Sequence, residues 1–292
     1  MAYARHQSFY IRDKWFSKGL KAVKQNKRFF FNEYAFETVG LGKNMLESLK
    51  YWLFAFDVLE EKTVEGQRIH TLTELGEILF QNDRLLQKNE TLAILHYHLV
   101  MNRNDYSTVF DWYFNRYRET SVSKPDLFSS FVTWVSQNEV KEISENSLKR
   151  DIDCLIQFYT KAPDDNDPED GMFSPFSKLT LMKSERSGEG FDTIKKIIPE
   201  PNAIGIISLY YILLNSDAIP EDRLISVDEI VNGDNLWGKI FNLSRNKVVE
   251  ALNILTNHEK YPIEYVRTNN LDYIKLPMIS SVEYIKSELL KG

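Results

Sequence analysis

Three helix starts written in one pattern constrain this chain more than any other feature. Leu41-Gly42-Lys43-Asn44 leads into Leu46, Leu49 and Leu53. Ile143-Ser144-Glu145-Asn146 leads into Leu148, Ile152 and Leu155, and Leu243-Ser244-Arg245-Asn246 into Val248, Leu252 and Leu255. Each copy has an apolar residue, a Gly or Ser suited to capping, a charged residue and Asn, then apolar residues at helical spacing. The copies lie 102 and 100 residues apart. A recognition helix is entered in this way, with the apolar residue before the cap packing back on its own domain. Convergent capping is the better account of any one copy; the three together point to related helix-turn-helix units.

The first copy closes a series of helices. Residues 13–26 place Trp15, Phe16, Leu20 and Val23 on one face and Lys14, Lys18, Lys21 and Lys24 on another. Asn32 is positioned to cap a second short helix that Gly40 ends, and a third helix is expected over 42–56. A hairpin over 58–72, turning at Gly66, completes the order of a winged helix-turn-helix domain. The third copy has a similar setting. An apolar helix at 202–215, a helix at 227–231 capped by Ser226 and an apolar patch at 237–241 precede the helix from Ser244 to Leu255. A hairpin over 263–276, joined at 268–270, follows it. Between these units the spacing predicts helices at 73–81, 90–101, 106–119, 126–137 and 144–159.

The expected fold is therefore mainly α, with winged-helix-type units carrying small β-hairpin wings. An N-terminal DNA-binding domain of this type spans 1–85, a helical domain 86–160, and a C-terminal winged-helix-like domain 172–292. The acidic, proline-containing stretch 161–171 marks the boundary. It is not a calcium loop: counting from Gly171, Pro168 and Ser177 occupy ligand positions, and Ser177 stands where a Glu is required. Residues 172–198 read as irregular, with short strands near 179–182.

The net charge of −6 argues against a uniformly basic nucleic-acid binder. Residues 1–53 nevertheless hold ten Lys or Arg against four Asp or Glu. A basic segment on an acidic body favours one oriented face for phosphates, though a solvated basic helix face would look the same. The single cysteine, Cys154, excludes an intramolecular disulfide and a cysteine-based zinc site. No apolar run approaches the roughly 18 residues of a membrane span, and charge occupies the place of a signal peptide's apolar stretch. The chain reads as cytoplasmic.

On the first recognition-type helix Lys43, Asn44, Glu47, Lys50 and Tyr51 are expected to face outward; on the third, Arg245, Asn246, Lys247 and Asn253. Asn pairs with adenine, and Lys with guanine or phosphate. Glu47 and Glu250 would repel phosphate. Arg5 and Arg12 flank a cluster with His6, Gln7 and Tyr10 that suits a phosphate, although an N-terminal arm is often merely mobile. His96 and His98 are two residues apart, on different sides of a helix, so a shared metal is not expected. There is no phosphate-binding glycine loop, dinucleotide fingerprint, nucleophile elbow or zinc-protease motif. The densest charged group is Lys149-Arg150-Asp151-Ile152-Asp153. Two carboxylates beside two cations suit a divalent ion near a scissile phosphate. They point about 200° apart on a helix, which favours a salt-bridged surface instead.

The sequence resembles the bacterial family of domain of unknown function 4007. The resemblance rests on three stretches. They are Ala4-Arg5-His6-Gln7-Ser8-Phe9-Tyr10 with Arg12 and Trp15; Val39-Gly40-Leu41-Gly42-Lys43-Asn44-Met45; and Ser144-Glu145-Asn146-Ser147-Leu148-Lys149-Arg150-Asp151-Ile152-Asp153-Cys154. It covers essentially the whole chain. It implies a role in bacterial DNA phosphorothioate modification and phage defence, with sulfur-transfer and ATPase components as partners and double-stranded DNA as target. One branch of the family resembles the B component of the Ssp system, regarded as a DNA-nicking protein. On that implication Asp151 and Asp153 are the candidate catalytic carboxylates of a nickase using Mg2+ or another divalent cation. The DNA contacts are Arg5, Arg12, Lys43, Asn44, Lys50, Lys149, Arg150, Arg245, Asn246 and Lys247. The alternative is a non-catalytic regulator, or a scaffold for a sulfur-transfer partner.

Overall fold

The computed structural model describes all residues except 104, 164–171, 187–189, 191, 269–270 and 290–292. Most of the expected boundary stretch, and the joint of the second hairpin, thus lie outside the described residues. Among the described residues the chain is mainly α with three small antiparallel sheets.

Helices α1 (Trp15–Gln25), α2 (Ala35–Val39) and α3 (Lys43–Ala55) open the chain, with a 3-10 turn at Phe29–Phe31 between the first two. Strands β1 (Leu59–Val64) and β2 (Gln67–Leu72) follow as the expected hairpin, with Leu59 opposite Leu72 and Val64 opposite Gln67. Its two-residue turn needs left-handed backbone at both positions: Glu65 has φ 50° and Gly66 φ 78°. Helix α4 (Glu74–Asn82) is capped by the Thr73 hydroxyl, which accepts from Gly76 N–H at 3.1 Å.

The centre is α5 (Asn89–Met101), buried from Thr91 to Val100 without interruption. A helix with no polar face must be enclosed on all sides. Its two histidines are satisfied inside. Tyr159 OH donates to His96 Nδ1 at 2.7 Å, and His96 Nε2–H donates to the Ile240 carbonyl at 2.7 Å. His98 Nε2 lies 3.0 Å from Tyr211 OH.

The helix expected over 106–119 is shorter, and the reason is a distant lysine. Helix α6 (Thr108–Asp111) runs into a π-helical turn at Trp112–Arg116, where Tyr117 N–H bonds to Trp112 O at 2.8 Å. The half-buried Lys196 ammonium takes the carbonyls of Tyr113 and Tyr117, at 2.9 and 2.5 Å, and the Tyr113 carbonyl is one that a continuing α-helix would use. The chain then becomes β3 (Ser121–Ser123), followed by α7 (Lys124–Asn138) and α8 (Glu145–Thr160).

Beyond a 3-10 turn at Pro175–Leu179, β4 (Met182–Arg186) and β5 (Asp192–Lys196) form a sheet in the order β3-β5-β4. This sheet joins the expected helical segment to the expected C-terminal one. The helix expected at 202–215 is two, α9 (Pro201–Ile204) and α10 (Ile206–Asn215). Gly205 breaks it with φ 101°, and a Cβ there would stand 2.4 Å from Glu90 Cγ.

Next come β6 (Leu224–Ser226), α11 (Val227–Asn232), α12 (Trp237–Ile240), α13 (Arg245–Leu255), β7 (Glu264–Thr268), β8 (Leu271–Lys275) and α14 (Ser281–Leu289). The expected second hairpin gains β6 as a third strand, in the order β6-β8-β7. All three patterned helices begin where the sequence places them, at residues 43, 145 and 245. Only Ser244 caps through its side chain; Ser144 makes no side-chain cap bond. The middle copy reaches its antiparallel pair, β4–β5, only after the 3-10 turn at Pro175–Leu179, whereas the other two run from helix to hairpin with no element between. No helix among the described residues is long and apolar enough to cross a membrane.

Candidate nucleic-acid interface

Exposed Lys43, Asn44 and Glu47 line the outer face of α3, and Lys50 continues that row half-buried. The hairpin and the 3-10 turn fold beside this row. Phe31 stacks flat on His70, with centroids 4.5 Å apart and planes 9° apart. The cationic groups of Arg28, Lys50 and Arg68 lie 5.2, 5.6 and 5.3 Å from the Phe31 ring. Arg5, from the N-terminal arm, lies 5.9 Å over Tyr106, whose ring stacks with Phe54. Between them is a cavity of about 460 Å3 lined by Arg5, Lys50, Glu47, Glu61, Gln7 and three aromatic rings, Tyr51, Phe54 and Tyr106.

Of the expected residues, Arg5, Lys43, Asn44 and Lys50 lie on this side of the fold; Arg28 and Arg68, which were not expected, lie with them. Their signal was weak: an arginine abutting Phe29-Phe30-Phe31, and a cation on a hairpin strand. His70 is buried with both ring nitrogens unbonded, Nε2 lying 3.4 Å from Glu61. Burial, then the nearby Lys50 charge, pull its pKa below the usual imidazole value, against the opposing pull of Glu61. Among the described residues, Arg5, Arg28, Lys43 and Lys50 form no ion pair.

The carboxylates of α8 part company. Asp151 is 3% exposed and turns inward, where its Oδ1 accepts from Ala4 N–H at 2.8 Å and meets His6 Nε2 at 2.8 Å. This pair fastens the N-terminal arm onto α8, so His6 is structural and the arm is anchored. Asp153 faces a different space, a cleft of about 510 Å3 lined by Lys124, Phe128, Lys149, Ile152, Arg186 and Asp192 among others. Lys124 Nζ sits 2.7 Å from Asp153 Oδ1. Lys149 and Arg150 are exposed, the latter bonding the Asn146 carbonyl of its own helix at 3.2 Å. Arg12 packs inward, its guanidinium 5.3–5.8 Å from the rings of Phe9, Tyr10 and Trp15. Its flat faces are therefore turned to protein.

The face of α13 differs electrostatically from that of α3. Arg245 pairs with Asp228 and lies 3.7 Å from Asp272; Lys247 pairs with Glu200 and, at 3.0 Å, with Glu250. Asn246 is exposed between them. Among the described residues no three His, Cys, Asp or Glu side chains converge as metal ligands.

A mainly α chain with small sheets and one basic, aromatic face is the class of molecule this geometry defines. The chain belongs to the family described as Protein of unknown function (DUF4007), whose model matches residues 3–291. No curated protein matches it. Its fold is that of two crystal structures of SspB. The magnesium ion-bound form has a TM-score of 0.83 at 22% identity, covering 99% of this chain and 87% of that one. A second SspB structure has a TM-score of 0.82 at 23% identity, with the same coverage.

Proposed function

We propose that the protein is a DNA-binding component of a bacterial DNA phosphorothioate modification and phage-defence system, and that it nicks one strand. Double-stranded DNA is its target, and sulfur-transfer and ATPase components of the same system are its partners. The two helix-hairpin units act as winged helices, with α3 and α13 as their recognition-type helices. The observation that carries DNA binding is the α3 face. Its unpaired cations are free to exchange counterions for phosphates, whereas those on α13 are already neutralised by carboxylates. The α3 unit is therefore the main grip, and Arg245, Asn246 and Lys247 are secondary contacts. Arg12 supports the arm that delivers Arg5.

For nicking, the cleft of α7, α8 and the β4–β5 sheet is the working space. It sets Asp153 and Asp192 beside Lys149 and Arg186. Mg2+ is commonly held by one or two carboxylates plus a substrate phosphate, and these two residues suit that mode. So held, the ion would polarise the phosphate and lower the pKa of the attacking water. Lys149 and Arg186 orient the phosphate and oppose the charge that develops on it. Lys124 keeps Asp153 in place. Asp151, enclosed beneath the arm, acts through positioning.

One observation favours a non-catalytic scaffold instead: Asp153 is already engaged by Lys124 and Asp151 by His6. Relaxation of supercoiled plasmid, with and without magnesium, separates the two readings. The nickase reading requires magnesium-dependent relaxation by the wild type and its loss in folded Asp153→Asn. Tight DNA binding with no relaxation under either condition leaves the scaffold.

A further inference from the structure

We infer that the cavity beside α3 takes in an unpaired nucleobase of the bound DNA, and that it prefers bases bearing an exocyclic amine. This rests on the DNA-binding reading above and goes further, because backbone contact alone does not call for such a cavity. Phosphates need cations, and Arg5 and Lys50 at the cavity supply them. The rest of the lining is wrong for phosphate: Tyr51, Phe54 and Tyr106 are aromatic, and Glu47 and Glu61 are acidic. Those residue types suit a base. Aromatic rings offer stacking surface to any base, and a carboxylate accepts from the amino group of cytosine or adenine. A volume of about 460 Å3 falls within the usual range for small-molecule sites and is far too small for a duplex.

The surroundings hold this lining in place. Glu61 is steadied from behind by Arg68 at 3.5 Å and by the otherwise unbonded His70 at 3.4 Å. Phe54 is braced between its stack on Tyr106 and an edge contact with His70. Arg5 covers Tyr106 from the arm side, so a guanidinium and an aromatic ring border the same space. Across Lys50, the partly exposed Phe31 with its three cations forms a second platform where a flanking nucleotide would lie.

The test compares short duplexes that differ at one position, fully paired or carrying one bulged adenine, cytosine or thymine. Fluorescence anisotropy at several salt concentrations gives each affinity. The expected result for the wild type is about tenfold tighter binding of the adenine and cytosine bulges than of the paired duplex, as stacking of one base allows, with a smaller gain for thymine. Tyr106→Leu should bring the bulge-to-paired ratio toward one, and Glu61→Gln should bring adenine and cytosine toward thymine. Salt-dependent duplex binding with no bulge preference overturns this inference and leaves the DNA-binding reading standing. Equal gains for all three bases overturn the role given to Glu61. Absence of salt-dependent binding to every duplex overturns both.

Discussion

Removing the Asp151 carboxylate should destabilise the whole protein, because one oxygen serves two donors, the buried His6 ring and the half-buried Ala4 backbone. Ser8 N–H donates to His6 Nδ1 at 3.1 Å, which places the ring proton on Nε2, facing Asp151. In Asp151→Ala that Nε2–H and the Ala4 N–H lose their acceptor, the ring where water does not reach and the backbone where it reaches in part. His6 is 1% exposed. An orphaned buried donor costs about 1–3 kcal/mol and the half-buried one less, so the variant should lose about 3 kcal/mol. At about 2–4 °C per kcal/mol for a chain of this size, the melting temperature should fall by about 10 °C. Asp151→Asn keeps a carbonyl at the same place and gives up only charge assistance, about 1–2 kcal/mol. Urea unfolding followed by tryptophan fluorescence measures both, with a local reporter: Trp52 stacks beside His6 at 6.3 Å. Unfolding of Asp151→Ala within about 0.5 kcal/mol of wild type, the range of an ordinary surface substitution, would refute this reasoning.

Lys43→Ala combined with Lys50→Ala should lower the slope of log affinity against log salt by about 1.8, two phosphates' worth. Arg245→Ala with Lys247→Ala should lower it by less than half as much, since those cations already hold carboxylates; equal slopes for the two double variants would count against the α3 grip. Asp153→Asn should abolish plasmid nicking while melting like the wild type, and Asp151→Asn should retain nicking in whatever fraction stays folded. Stability should fall in acid through His96, whose imidazole burial pushes down to about 4. The folded state keeps this ring neutral while the unfolded chain takes up a proton below about 6.5, so stability is lost as pH drops from there to about 4, by about 3 kcal/mol in all. Urea midpoints at pH 7, 5.5 and 4.5 should show a shallower fall in His96→Gln; identical curves would contradict it.

The local features of the sequence were legible and the distant ones were not. The starts of α3, α8 and α13 follow from short-range capping and periodicity, as does the first hairpin from Glu65-Gly66. The end of α6 was hidden because Lys196, some eighty positions along, takes its carbonyls. Strand β3 was equally hidden, since Val122 becomes a strand only by pairing with Ile194. The same division runs through the candidate site. Lys43, Asn44 and Lys50 declare themselves by helical spacing on α3. Arg28 and Arg68 join them only because the hairpin folds back on Phe31. Asp151 and Asp153 were correctly separated by helix geometry, but nothing local showed that His6 would claim the first and Lys124 the second.

The contact that binds the arm to α8 also sets an order of events during synthesis. Ala4 and Asp151 lie 147 positions apart, and a ribosome adds about 5–20 residues per second. The first helices and their hairpin, built from near neighbours, can close while the rest of the chain is still being made. Ser48 and Trp52 of α3 donate to the Phe9 carbonyl at the arm's end and can do so early, but the Asp151 contact waits about 7–30 s, until α8 emerges. Arg5 rides on the stretch that Asp151 holds, so its place at the cavity beside α3 gains its last tie only when α8 exists. A nascent or truncated chain ending before residue 145 would carry the lysines of α3 but lack the Asp151 tie that holds Ala4 and His6 on either side of Arg5.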